Sequence, residues 1–222
     1  MSGSSFGTHF KITTFGESHG KGVGVVVDGV TPLIEISERD IQKELDRRKP
    51  GQSHITTSRK ESDTIHILSG VFEGKTTGTP LAMVLYNQDH DSSAYTHIRH
   101  AFRPGHADFT YQAKYGIRDY RGSGRASGRE TAGRVAAGAV AKKILAARGI
   151  HISAYTIKAA GIECRLRDLA HIEENPMRAC DPQAAEKMIQ RIEELKEKGD
   201  SAGGVVECLV EGLPKGIGEP VF

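Results

Sequence analysis

Two histidines sit in glycine-bearing turns of this sequence: His19 in Gly16-Glu17-Ser18-His19-Gly20 and His106 in Arg103-Pro104-Gly105-His106-Ala107-Asp108. Backbone can approach a ligand closely in such turns. Histidine titrates near neutral pH, so a protonated imidazole beside a phosphate can both bind it and give it a proton. The first turn also matches the G-x-S-x-G pattern of a hydrolase nucleophile elbow, which would make Ser18 a nucleophile. An elbow needs a strand before it and a helix after it. Residues 9–15, β-branched and aromatic, read as a strand, but residues 21–29 are glycine and valine and read as a second strand closed by a turn. The serine pattern lacks its context, and the histidine becomes the more informative residue. Among the ten histidines, His97 and His100 lie near His106 and Asp108 in a grouping that would suit a metal. Arg99 and Arg103 would repel a cation there, and the spacings put no two ligands on one helical face, so no metal is expected. His9, His66 and His151 fall in strand-like segments and read as packed or surface residues.

The net charge of +2 hides an asymmetry. Residues 97–134 hold seven arginines and one lysine against Asp108, Asp119 and Glu130, a local charge of +5 with histidines neutral. A second basic knot, Arg47-Arg48-Lys49, is followed by His54, Arg59 and Lys60. Arginine's planar fork binds phosphate or carboxylate with two hydrogen bonds at once. A solvated surface is the plain alternative, but two clusters that also carry histidines favour a compact anion. A nucleic-acid interface is the other reading of residues 118–134. Single-strand platforms need aromatics among the basic residues, and only Tyr115 and Tyr120 are near, so no nucleic-acid partner is expected.

The elements that must position these residues follow from pattern. Ser37 can cap a helix running to about Arg48, with Ile41 and Leu45 on its inner face and Lys49-Pro50-Gly51 as its stop. Strands are expected over 64–72 and 81–86. Ser127-Gly128-Arg129-Glu130 fits the S-x-x-E capping box, and Val135, Ala139, Val140, Ile144 and Leu145 mark an apolar stripe ending at Gly149. The glycine-rich loop 121–126 feeds this helix, whose free N–H groups and positive dipole end form an anion receptor. Gly122-x-Gly124-x-x-x-Gly128 imitates a dinucleotide fingerprint, but residues 118–121 are not a buried apolar strand, so a Rossmann unit is not expected. A strand over 151–157 and a helix from Asp181-Pro182 to Gly199, with Met188, Ile189, Ile192 and Leu195 inward, come next. Residues 203–214 echo residues 22–32: a glycine-led valine strand closed by acid, glycine, apolar residue and proline. That pair suggests an internal duplication whose second half is incomplete.

A chain of 222 residues can form one large domain or two small ones. It has no run of about 18 apolar residues for a membrane span, and the polar start lacks the regions of a signal peptide. Cys164, Cys180 and Cys208 are odd in number and widely spaced, which suggests neither disulfides nor zinc, and a cytoplasmic setting is the default.

Two long segments, GESHGKGVGVVVDGVTP over 16–32 and GSGRASGRETAGRVAAGAVA over 122–141, closely resemble chorismate synthase, as do DRRKPG, ILSGVFEGKTTGTP, FRPGHADFTYQAKYG and RDYRG between them. The resemblance spans the chain. It implies an α+β fold of layered helices and sheets, with residues 1–222 forming a domain truncated at its C-terminus, since family chains are longer. It implies a lyase of the shikimate pathway that removes phosphate and a hydrogen from 5-enolpyruvylshikimate 3-phosphate, using reduced FMN without net oxidation. It also implies a cytoplasmic homotetramer, with NADPH or an external flavin reductase as source of the reduced flavin. By the same resemblance His19 protonates the reduced flavin and His106 the departing phosphate, with Ser18 lining the substrate. Arg48, Arg103 and Arg129 would clamp phosphate and carboxylates, and Arg125, Ala126, Ser127, Arg48 and His54 would meet the flavin. His54 stands where the family often has arginine; it keeps a donor but makes the charge depend on pH. The non-catalytic alternative is a truncated anion- or nucleic-acid-binding protein.

Overall fold

The computed structural model describes residues 3–56, 61–88 and 93–220. Arg59 and Lys60 of the second basic knot lie outside the described residues. The chain divides into two compact units, residues 1–50 with 59–144, and residues 51–58 with 145–222. The fold is α+β.

The first unit holds β1 (Ser5–Phe6), β2 (Lys11–Gly16), β3 (Gly22–Asp28), α1 (Glu38–Arg48), β4 (Ile65–Ile67), β5 (Val71–Phe72), β6 (Lys75–Thr76), β7 (Leu81–Tyr86), α2 (Asp108–Tyr115) and α3 (Thr131–Ala146). Its main sheet is antiparallel in the order β1-β2-β3-β7-β4, and β5 and β6 form a separate small hairpin. One strand was expected over 64–72. It breaks in two because Gly70, at φ +83°, turns the chain against Leu81, where a Cβ would stand 2.6 Å from the Leu81 Cα. α1 forms as its sequence dictates: Ser37 and Asp40 complete a capping box, and Ile41 and Leu45 are fully buried. Each such side chain contributes about 1.5–3 kcal/mol by leaving water.

α3 differs from expectation in its inner face. Of the expected stripe Ala139 and Val140 are buried and Val135 and Ile144 pack half-buried against the same core, and Ala132, Gly133, Ala136 and Ala137 add a buried strip of small residues. Close approach explains that strip, since a Cβ on Gly133 would lie 2.9 Å from the Gly24 carbonyl oxygen of β3. Small residues let the helix rest on the sheet backbone, with Val140 buried among them and Val135 and Ile144 packed at the edge of the same core. These elements share one core with Val23, Val25 and Val27 of β3 and Leu81, Met83 and Leu85 of β7.

The second unit holds β8 (His151–Ala159), β9 (Ile162–Glu163), α4 (Pro182–Glu197) and β10 (Gly204–Glu211), with sheet order β10-β8-β9. Asp181 caps α4 by accepting from the N–H groups of Gln183 and Ala184, and Gly199 follows its end at φ +66°. Met188 is fully buried beside Tyr155, Cys164, Cys180 and Ala185. The cysteines are free thiols, and burial, with Cys180 alongside, pushes the Cys164 thiol up to about 11. Among the described residues no helix is long and apolar enough to cross a membrane.

The candidate active site

The connection between β2 and β3, residues 17–21, is a turn and not the start of a helix, so the elbow geometry for Ser18 is absent. Gly16 opens it at φ +88°, where a side chain would collide with the Gly22 carbonyl. The turn is held from below by Asn87, the residue after β7. Its amide nitrogen Nδ2 donates to the carbonyls of Glu17 (3.0 Å) and Gly20 (2.8 Å), and its backbone N–H donates to that of Lys21 (3.1 Å).

Against this turn packs the glycine-rich loop. The Ser18 N–H donates to the Gly124 carbonyl at 3.3 Å. Gly122 adopts φ +61°, and a Cβ there would stand 2.4 Å from His19 Cδ2, 2.8 Å from His19 Nε2 and 2.8 Å from Ser18 Oγ. Only glycine fits, for both its dihedral and its space. The two sequence segments that suggested chemistry, residues 16–20 and residues 122–129, therefore meet at this contact. Ser18 is 1% exposed beneath it, while the His19 ring stays half-buried and meets the edge of Tyr95, with ring centroids 5.1 Å apart.

The arginines are braced by the protein. Arg103 donates from Nε and Nη2 to the two carboxylate oxygens of Asp108, each at 2.9 Å, and from Nη2 to the Gly122 carbonyl at 2.6 Å. These hydrogen bonds hold the Asp108 carboxyl down to about 2 and push the Arg103 guanidinium up. Arg118 approaches the same carboxylate at 3.6 Å, so the one acid in the suspected metal grouping serves two guanidinium groups. Arg125 donates to the Gly16 carbonyl (3.0 Å) and to Thr14 Oγ1 (2.8 Å), and Thr14 in turn donates to Glu130 (2.6 Å). Glu130 also pairs with Arg134. It is thereby drawn away from the expected capping box, in which Ser127 keeps only its own half by accepting from the Arg129 N–H.

Arg129 is 4% exposed; its Nε donates to Asn87 Oδ1 at 2.8 Å and its Nη1 to the fully buried carboxylate of Asp63. Glu61 lies 3.8 Å from Nη2. The second oxygen of Asp63 accepts from Arg48 Nη1 at 3.0 Å, and Arg48 reaches on to the Gly128 carbonyl (2.9 Å) and Thr131 Oγ1 (3.3 Å). Asp119 is lowered as well: burial pushes it up, but hydrogen bonds from Arg121 and the nearby Arg121 and His19 charges outweigh that. Asn87, Asp63, Glu61 and Tyr95 carry no motif in the sequence, and only their partners identify them.

Two cavities border the turn. One, of about 590 Å³, is lined by Tyr111, Tyr115, Tyr120, Ile117, Arg125 and Ala126 among others. The other, of about 620 Å³, is lined by His19, Gly20, Lys21, Tyr86, Asn87 and Arg121. His106 is exposed on the turn before α2, with Nδ1 3.2 Å from the Pro104 carbonyl oxygen. A carbonyl only accepts, so Nδ1 carries the proton of that bond and Nε2 is the atom that can exchange one. His54 belongs to the second unit, where its Nε2 lies 2.8 Å from a carboxylate oxygen of Glu193. Among the described residues no group of three or more His, Cys, Asp or Glu side chains could hold a metal.

Residues 10–222 match the family profile described as chorismate synthase. The chain is 54% identical over 226 residues to the chorismate synthase of Methanosarcina mazei, covering 100% of this chain and 62% of that protein. It is 56% identical over 225 residues to that of Synechocystis sp., covering 99% of this chain and 62% of that protein. A solved structure described as "Crystal Structure of Chorismate Synthase" superposes with a TM-score of 0.73 at 33% identity, over 93% of this chain and 60% of that one. The chain thus spans about three fifths of the length of these relatives. With the family's profile matched from Phe10 onward and the fold shared, the chain belongs to the chorismate synthase family.

Proposed function

We propose that this chain carries the proton-transfer and anion-holding part of a chorismate-forming lyase acting on 5-enolpyruvylshikimate 3-phosphate. The observation that carries the reading is the Gly122 contact, which seats the glycine-rich loop against His19 with no room for a side chain. The reaction breaks the C–O bond to phosphate and one C–H bond and forms a double bond, with no net oxidation. The site's task is to hold a polyanion, place proton donors and keep water out.

His19 holds a proton on a ring fixed by Gly122 and Tyr95, facing the cavity that it shares with Lys21 and Arg121. His106 supplies a proton from Nε2 to the leaving phosphate. Arg48, Arg103 and Arg129 bring guanidinium charge that their pairing with Asp63 and Asp108 fixes in place and partly offsets. Their committed geometry means that this charge is preorganised and does not move to meet the anion. Ser18 lies behind Gly122 and supports the histidine turn at the substrate's edge.

The tyrosine-walled cavity beside Arg125 and Ala126 suits a planar ring system, and its volume lies in the range of small-molecule sites. Reduced FMN, when bound, supplies an electron-rich partner for the elimination. Arg125, Ala126, Ser127 and Arg48 would hold it. A homotetramer, a cytoplasmic setting and a supply of reduced flavin from NADPH or an external reductase belong to the same proposal.

An anaerobic assay with chemically reduced FMN tests it, following chorismate absorbance and released phosphate together. The reading predicts one phosphate per chorismate and loss of both in His19→Ala. Phosphate released without chorismate would mean hydrolysis, and neither product would overturn the reading for this chain.

A further inference from the structure

We propose that Asn87 is a positioning residue that fastens the His19 turn to the buried ion-pair chain Arg129–Asp63–Arg48, so that imidazole and guanidinium groups are set as one unit. The inference rests on the reading of His19 as a proton donor, but its structural half stands apart from any activity.

Asn87 uses every polar group of its side chain. Nδ2 donates to the Glu17 and Gly20 carbonyls on either side of Ser18-His19, and Oδ1 accepts from Arg129 Nε. The residue is 9% exposed, so no bulk water replaces these partners. An amide is the one small side chain that can donate twice in one direction and accept in the other. Aspartate has the same shape but cannot donate when ionised, and leucine has the volume with neither function.

Beyond Arg129 the chain continues into Asp63, which is fully buried and sits at φ +49°. That backbone conformation is uncommon for a residue with a side chain and is kept only where the surroundings over-determine it. Here the surroundings are two guanidinium groups on one carboxylate and Gln42 Nε2 donating to the Asp63 carbonyl at 3.2 Å. Arg48 closes the path at the Gly128 carbonyl, where the start of α3 is built. The turn that carries the histidine and the loop that feeds α3 are thus joined twice. One joint is the Gly122 contact at the surface, and the other is the Asn87 path beneath.

The test uses Asn87→Asp and Asn87→Ala in the full chain, with two readouts. Amide hydrogen exchange is the first. Asn87→Asp keeps the acceptor for Arg129 and loses both donors to the turn, so residues 17–21 should exchange at least about tenfold faster while β8 in the second unit is unchanged. The second is the pH titration of His19 followed by NMR of its imidazole. A carboxylate at position 87 favours the imidazolium and should raise the His19 midpoint, whereas Asn87→Ala should not raise it.

A residue that only filled space would leave exchange at residues 17–21 unchanged in Asn87→Asp, which keeps the volume and loses only the two donors. Unchanged exchange at residues 17–21 in Asn87→Asp would overturn the inference, as would faster exchange spread equally to β8. Neither readout needs turnover, so a failure here is distinguishable from a failure of the lyase reading. Where the wild-type chain turns over, Asn87→Asp should lower kcat by about tenfold or more with KM changed less than about threefold. A loss confined to KM would remove the positioning role.

Discussion

Both units contain an antiparallel strand pair closed by the same corner, yet they use it differently. In the first, β2 pairs with β3 from Lys11↔Asp28 onward, and Gly29 turns at φ +75° with its missing Cβ 1.7 Å from the His9 carbonyl oxygen. In the second, β8 pairs with β10 up to His151↔Glu211, and Gly212 turns at φ +76° with its missing Cβ 2.0 Å from the Gly149 carbonyl oxygen. The acid-glycine echo in the sequence therefore corresponds to one backbone device built twice.

The difference lies in what surrounds each pair. β3 has β2 on one side, β7 on the other and α3 across its face, and Val25 and Val27 are fully buried. β10 ends its sheet, and Val206 and Val210 remain exposed. The connection between the paired strands is only residues 17–21 in the first unit, and it carries His19. In the second unit residues 160–203 intervene and bring β9 and α4. A repeated scaffold thus says little about function, which sits in the short turn and the loops pressed onto it.

Breaking the buried ion-pair chain should have the largest effect and should separate the units. Arg129→Ala leaves Asp63 and Glu61 buried without their guanidinium, and a loss of about 3–5 kcal/mol is expected in urea unfolding. Protection from hydrogen exchange should fall in β3 and β7 and persist in β8. Equal loss in both units would erase the contrast.

The shared corner can be tested from both sides. Gly29→Ala and Gly212→Ala should each cost about 2–3 kcal/mol, because both meet a carbonyl oxygen at positive φ. If only one of the pair is costly, the corners are not equivalent.

Acid titration should expose the Arg103–Asp108 pair. The Asp108 carboxyl is held at about 2 against an ordinary 3.8, so its stabilisation is fully present above pH 3.8 and is lost as pH falls toward 2. The wild type should lose about 2 kcal/mol across that interval that Asp108→Asn, lacking it throughout, does not lose. Parallel acid curves for the two proteins would show the pair to be energetically silent.

The smallest effect sharpens the burial difference. Val27→Ala on β3 should cost about 2 kcal/mol and Val210→Ala on β10 no more than about 0.5 kcal/mol, read from unfolding midpoints. Similar costs would mean that β10 is covered.

Much of this architecture was legible because its causes are local. The cap at Ser37, the Asp181-Pro182 start, the stop at Gly199 and the valine strands each depend on a few adjacent residues. The α3 stripe was legible in part: Ala139 and Val140 are buried and Val135 and Ile144 pack against the same core, but Ala132, Gly133, Ala136 and Ala137 went unread because close packing on the sheet selects glycine and alanine. His19, the arginines and the glycine-rich loop stood out by type and spacing. Asn87 and Asp63 did not, since each is one polar residue whose partner Arg129 lies 42 and 66 positions away, and no local pattern encodes such a contact. The arginines' commitment to protein acceptors was hidden for the same reason.

The most direct test of the central claim, that the chemistry is housed at the histidine turn of the first unit, is imidazole NMR of the chain during titration with 5-enolpyruvylshikimate 3-phosphate. Saturable shifts are expected at His19 and His106 at one common midpoint, with His151 and His171 unmoved. Shifts at His151 or His171 with His19 silent would contradict it and move the site to the second unit.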